Sequence, residues 1–130
     1  MSHFTNLKTS FRNSSYLKKA LNVLNVSYKH LSENNSNLDF NSIKIPQSNG
    51  YDITFVWNGQ EYDLIVDISF WDQPYPLETF IDKIAQEYAG ETVIGESQKL
   101  GFQPVSYKKN DDGSNILILE RWNQGGETYL

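Results

Sequence analysis

From Asn49 to Pro74 apolar and polar residues alternate on both sides of Asn58-Gly59, and this pattern constrains the fold more than any other part of the chain. Asn-Gly readily supplies the two positive-φ positions of a type I′ turn, so the stretch predicts a β-hairpin. Pairing Trp57 with Gln60 sets a register in which Phe55 meets Tyr62, Ile53 meets Leu64 and Tyr51 meets Val66. One face then carries Tyr51, Ile53, Phe55, Trp57, Tyr62, Leu64 and Val66, continued by Ile68 and Phe70. The other carries Asp52, Thr54, Val56, Glu61, Asp63, Ile65 and Asp67. Side chains alternate with period two, so a slip of one residue would turn the whole apolar set to solvent.

At 130 residues the chain suits one domain, expected over 1–123, with 124–130 as a mobile tail. A hydrophobic share of 38% and an aromatic share of 14% place it among globular rather than disordered chains. With no cysteine, disulfides, thiol nucleophiles and thiolate metal sites are excluded. No apolar run approaches the ~20 residues of a membrane helix, so no membrane insertion is expected. The net charge of −5 is uneven: residues 1–32 hold five basic groups and no acid. Such an acid-poor, Ser-rich start is also the composition of an organelle transit peptide. The periodic apolar residues there favour a folded strand and helix instead. A pI near 4.9 argues against a broad nucleic-acid-binding surface.

Alternation of Thr5, Leu7, Thr9 and Phe11 predicts a strand over 3–12. Ser14 or Ser15 then caps a helix with the stripe Leu17, Ala20, Leu21 and Leu24, which stops at Asn25. Strands are expected at Val26–Leu31 and Phe40–Ile45 around a polar Asn/Ser-rich loop. After Pro74 and Pro76 a second helix buries Leu77, Phe80, Ile81, Ile84 and Tyr88, leaves Glu87 outside, and kinks or breaks near Gly90. Phe102–Lys108 and Asn115–Trp122 form a second hairpin. Ile116–Leu119, apolar on both parities, suits a central strand, and Pro104 places its partner at an edge or a bend. Together these elements predict an α+β two-layer sandwich, an antiparallel sheet with two main helices on one face. A ferredoxin-like core extended by a hairpin is one way to connect it.

Few constellations carry chemistry. Asp52, Asp63 and Asp67 share a hairpin face, where they could bind a hard cation, present an acidic docking patch or simply solvate the sheet. His3 and His30 have no ligand-spaced partner, and no nucleophile elbow, P-loop or zinc motif is present. Trp57, Trp71, Tyr75 and Trp122 are the stronger signal, as core or rim packing or as a partner hot spot. Trp71 follows the outward parity of its strand beside the stiff Pro74–Pro76 turn.

Several fixed spellings carry a resemblance. Ser2-His3-Phe4, Asn49-Gly50-Tyr51-Asp52, Trp57-Asn58-Gly59-Gln60-Glu61-Tyr62, Phe70-Trp71 with Gln73-Pro74, Gly101-Phe102 and Arg121-Trp122 occur in order. In these the chain resembles the hypothetical chloroplast open reading frame thirty-five family of cyanobacteria and algal plastids, over nearly its whole length. The resemblance implies a chloroplast product encoded in the plastid itself. The family is a domain of unknown function, so the resemblance assigns no catalytic residue, metal ligand or cofactor. The expected role is a non-enzymatic stromal interaction module that meets a stromal protein through Trp71, Tyr75, Asp52, Asp63 and Asp67. The alternatives are a small-ligand regulatory domain, with a cleft between the sheet and the long helix, and a divalent-metal enzyme.

Overall fold

The computed structural model describes residues 4–32 and 41–121. The expected tail at 124–130, His3 and Trp122 lie outside them. Two compact units divide the chain, Met1–Tyr88 and Ala89–Leu130.

In the first unit, β1 (Phe4–Lys8), α1 (Ser14–Val23), β2 (Lys29–Ser32), β3 (Asn41–Ile45), β4 (Ile53–Trp57) and β5 (Tyr62–Asp67) follow in order. The strands form one antiparallel sheet ordered β1-β5-β4-β3-β2. It is a meander from β2 to β5 with β1 added beside β5, in place of a ferredoxin-like connection. β1 and β2 run the same way on opposite edges, so α1 must cross the sheet to join them. In crossing, it lays Leu17, Ala20 and Leu21 against Ile43, Ile45, Ile53, Phe55, Tyr62, Leu64 and Val66. Phe80 and Ile84 of α2 (Leu77–Lys99) complete this core, giving helices on one face of an antiparallel sheet, as expected for an α+β sandwich.

The ends of α1 have clear chemical causes. Asn13, not Ser14 or Ser15, is the N-cap, and its Oδ1 accepts from the Tyr16 N–H at 3.1 Å. Asn25 takes φ 59°, its N–H donates to the Asn22 carbonyl, and the Val26 N–H reaches back to Leu21 at 2.9 Å. This is a Schellman ending with asparagine in glycine's usual place.

The hairpin register differs from expectation while the faces survive. Trp57 pairs with Tyr62, Phe55 with Leu64 and Thr54 with Ile65. Asn58 N–H donates to the Glu61 carbonyl at 2.9 Å, so Gly59-Gln60 forms the tip, and Gly59 alone there has positive φ, at 103°. Asn58 instead uses Oδ1 to accept from the Gln60 and Glu61 N–H groups. Advancing the tip by one residue moves each partner by two positions, which leaves the side chains of 53–57 and 62–66 on their faces, whereas Tyr51 and Ile68 are exposed. The strand does not continue to Trp71. Asp67 caps a single 3-10 turn, Ile68–Phe70, with Oδ1 accepting from Ser69 N–H at 3.0 Å, and this ends the alternation.

Two expectations for α2 change. Gly90 does not break it: the helix is continuous, and a Cβ at Gly90 would lie 3.3 Å from the Tyr107 hydroxyl, so close approach accounts for the glycine. Glu87 is buried at 3% exposure, not outside. In the second unit β6 (Phe102–Lys109) and β7 (Asn115–Arg121) form a two-stranded sheet, with a register shift at Pro104/Ser106 as proline demands. Among the described residues β7 is thus an edge strand and not the covered central strand that its composition suggests. At the turn, Ser114 donates to Asp112 from both its hydroxyl and its N–H, holding that carboxyl below its usual range.

Candidate functional site

Gln47 organises the region just beyond the end of β3. It is 7% exposed, and its amide is fully used. Nε2 donates to the Tyr51 carbonyl and to the Phe70 carbonyl at 3.2 Å, while Oε1 accepts from the Asp72 N–H at 2.8 Å and from Gln73 Nε2 at 3.1 Å. Around it Asn49 Nδ2 donates to the Phe70 carbonyl at 2.8 Å, and the Ser48 hydroxyl donates to Asp72 Oδ2 at 2.6 Å. Tyr51 stacks on Phe70 with ring centroids 3.8 Å apart. The segment from Phe70 to Gln73 is therefore pinned to residues 47–51.

Trp71 faces inward from this segment, against the outward parity expected of it. It is half-buried, meets Phe80 edge to face at 5.3 Å, and donates its indole N–H to the Tyr75 carbonyl at 2.6 Å. The 3-10 turn reverses the parity that a continued strand would impose. Tyr75 is held by that bond and remains 41% exposed, with Lys83 Nζ 4.7 Å from its ring centre.

Beside Tyr75 lies a cleft of about 410 Å³. One wall is Gln73-Pro74-Tyr75, the other is the Schellman ending of α1 at Leu24–Ser27, and Ile45, Pro46 and Phe80 also line it. It lies between the sheet and the long helix. Among the described residues that line it there is no carboxylate, imidazole or amine.

Each of the three aspartates has its own local partner. Asp52 accepts from the Gln47 N–H at 3.3 Å and lies 4.0 Å from Lys44 Nζ. Asp63 accepts from Asn58 Nδ2 at 3.0 Å at the hairpin tip. Asp67 is 3% exposed and caps the 3-10 turn, which corrects its placement on a solvated face. Among the described residues no group of three or more His, Cys, Asp or Glu is placed to hold a metal ion. His30 lies on the surface, with Nδ1 3.3 Å from Lys18 Nζ. Trp57 packs edge to face on Tyr62 at 5.2 Å. Sequence reasoning found Tyr75 but missed Gln47 and the Leu24–Ser27 wall. A lone glutamine between Pro46 and Ser48 reads as loop, although its place directly after an apolar strand was the available signal.

Comparison with known proteins gives the same family as the motifs. Residues 20–118 match the family described as "Protein of unknown function (DUF1257)". The chain belongs to this family. It is 52% identical to "Uncharacterized protein ycf35" of Trieres chinensis, across 92% of this chain and 97% of that one. The ycf35 proteins of Guillardia theta and Cyanophora paradoxa are each 39% identical across 94% of this chain and 98% of theirs. The ycf designation belongs to reading frames of plastid genomes, which supports plastid encoding for this member of the family. No solved structure matches the chain significantly. No helix among the described residues is long and apolar enough to cross a membrane.

Proposed function

We propose that this DUF1257 member is a non-enzymatic interaction module of the plastid stroma, and that it receives a stromal protein on the Gln73-Pro74-Tyr75 turn and in the cleft behind it. The observation that carries this reading is the construction around Tyr75. A buried glutamine holds Asp72 and Gln73, a tryptophan N–H holds the Tyr75 backbone carbonyl, and two prolines flank this exposed aromatic. An aromatic fixed in advance loses little entropy when a partner covers it, and tyrosine and tryptophan dominate binding hot spots. Of the five residues assigned from sequence, Tyr75 is the contact and Trp71 its support. Asp63 borders the open sheet face, while Asp52 and Asp67 serve the loops.

A second reading, a small uncharged ligand in the same cleft, is favoured by its volume, which falls within the range of about 300–1,000 Å³ usual for ligand sites.

The test pairs partner recovery with melting temperature. Immobilised wild-type chain and Tyr75→Ala are incubated with stromal extract. A partner held by the wild type and lost by Tyr75→Ala, at an unchanged melting temperature, is the expected result. Equal recovery by both removes Tyr75 from the contact. A melting temperature raised by uncharged metabolites, with no partner recovered, selects the small-ligand reading.

A further inference from the structure

β7 is patterned for the interior of a sheet and stands at an edge. Ile116, Leu117, Ile118 and Leu119 are apolar on both parities, yet β6 is its one strand neighbour among the described residues. Ile116 and Ile118 are 47% and 51% exposed. A two-stranded ribbon leaves the outer edge of each strand unpaired, and on β7 that edge is apolar, so a further strand would cover it.

The other open edges are guarded. β2 has four residues, including Lys29 and His30. β1 has five and ends on Lys8. β6 carries Pro104, a register shift and Lys108-Lys109. Shortness, proline, lysine and bulges are the devices that keep sheet edges from pairing. β7 has none of them between Asn115 and Leu119.

The backbone polarity of that edge can be derived. Asn110 N–H donates to the Ser114 carbonyl at 2.8 Å, so hydrogen-bonded pairs alternate onward to Lys108–Ile116 and Ser106–Ile118. Ile116 and Ile118 thus spend their backbone groups on β6, whereas Asn115, Leu117 and Leu119 turn theirs outward.

From this we infer that β7 pairs antiparallel with β7 of a second copy of the chain, about a two-fold axis at Leu117, to make one four-stranded sheet. A second copy fits because the edge is complementary to itself in that register. Leu117 meets Leu117, and Asn115 exchanges backbone bonds with Leu119. Ile116 faces Ile118 in the non-hydrogen-bonded pairs, where side chains come closest. Glu120 faces Ser114 and Arg121 faces Gly113, so no like charges are directly opposed. A strand of unrelated sequence would have to match that isoleucine spacing. Such a symmetric, self-complementary contact closes as a dimer.

Sedimentation equilibrium of the full chain should give twice the 15.0 kDa chain mass. Ile118→Lys should halve it, because two lysines then meet isoleucines across the interface. Adding Ile116→Glu should restore the dimer, since residue 116 faces residue 118 of the other copy. A second measurement does not depend on how these variants fold. The chain has no cysteine, so Leu117→Cys can form a disulfide only between copies. Residues paired on the axis lie about 5.5 Å apart at Cα, within disulfide reach. Mild oxidation should link Leu117→Cys into a dimer and leave Asn115→Cys unlinked. A monomeric wild type, which includes the case of an edge reserved for another protein, overturns the inference. So does a dimer indifferent to Ile118→Lys, or equal linkage at positions 115 and 117.

Discussion

The Asp72 N–H donates to Gln47 Oε1 at 2.8 Å, and this bond fastens the chain leading into α2 to the end of β3. The same amide donates to the Phe70 carbonyl, so one buried side chain spans both sides of Trp71. Gln47→Ala takes the side-chain acceptor from the Asp72 N–H and leaves the Phe70 carbonyl with Asn49 Nδ2 alone, a loss of about 1 kcal/mol for each bond. Denaturant unfolding should show it as a lower midpoint. Amide exchange should quicken at Asp72 while the β4–β5 ladder stays protected. Uniform loss of protection would mean that Gln47 supports the whole fold and not this segment.

The two faces of the hairpin give the second expectation. Phe55 is fully buried among α1 and α2 residues, so Phe55→Ala removes about 3–5 kcal/mol of stability. Asp63 is half-buried, with one side-chain bond to Asn58 at the tip, and Asp63→Ala costs about 1 kcal/mol or less. Equal losses in thermal or denaturant unfolding would contradict the placement of the core on one face.

Period-two alternation made those faces legible without the structure. It constrains which side each residue takes but leaves any even offset open, so Trp57 could move from Gln60 to Tyr62 unnoticed. The helices were legible through the spacing of Leu17, Ala20 and Leu21 and through Asn25 as a stop. What failed was local chemistry that overrides pattern. Asp67 capping a 3-10 turn ended the alternation three residues before Trp71 and turned the indole inward. Gly90 looked like a break because its reason, the Tyr107 hydroxyl, comes from another element. The cleft was anticipated only as a place between sheet and helix. Its walls are a helix ending and a loop, whose meeting depends on the path of the chain and leaves no periodic trace.

Asn25 allows the helix ending to be tested separately. A left-handed conformation costs a non-glycine residue energy that glycine avoids. Asn25→Gly should therefore hold or raise the melting temperature, whereas Asn25→Ala should lower it, by about 1–2 kcal/mol of stability. Because Asn25 also lines the cleft, the glycine variant has a further use. Loss of partner recovery at unchanged stability would assign its side chain to the contact.

Gly90 poses a question of sign. Alanine in a helix interior is favoured over glycine by about 1 kcal/mol, but its Cβ would press on Tyr107 at 3.3 Å. The comparison is best made in two backgrounds. Gly90→Ala should stabilise more in a Tyr107→Ser chain than in the wild type, and the difference measures the cost of the close approach. Identical effects would leave the glycine without a packing reason.

Alkaline pH should weaken the fold through Tyr62. Burial pushes its phenol above the ordinary 10.0; a hydrogen bond with Ser14 opposes the shift, and Tyr88 nearby reinforces it. The folded state then holds its proton more tightly than the unfolded state. This contribution is intact below pH 10.0 and is lost as pH rises through the unfolded value towards the folded one. Melting temperature measured from pH 8 to 11 should fall at the upper end of that range. Tyr62→Phe keeps the ring against Trp57 and Leu64 but has no proton to lose, so it should start lower, for want of the Ser14 bond, and decline less steeply. If the two profiles run parallel, the alkaline loss arises at another group and Tyr62 is not its source.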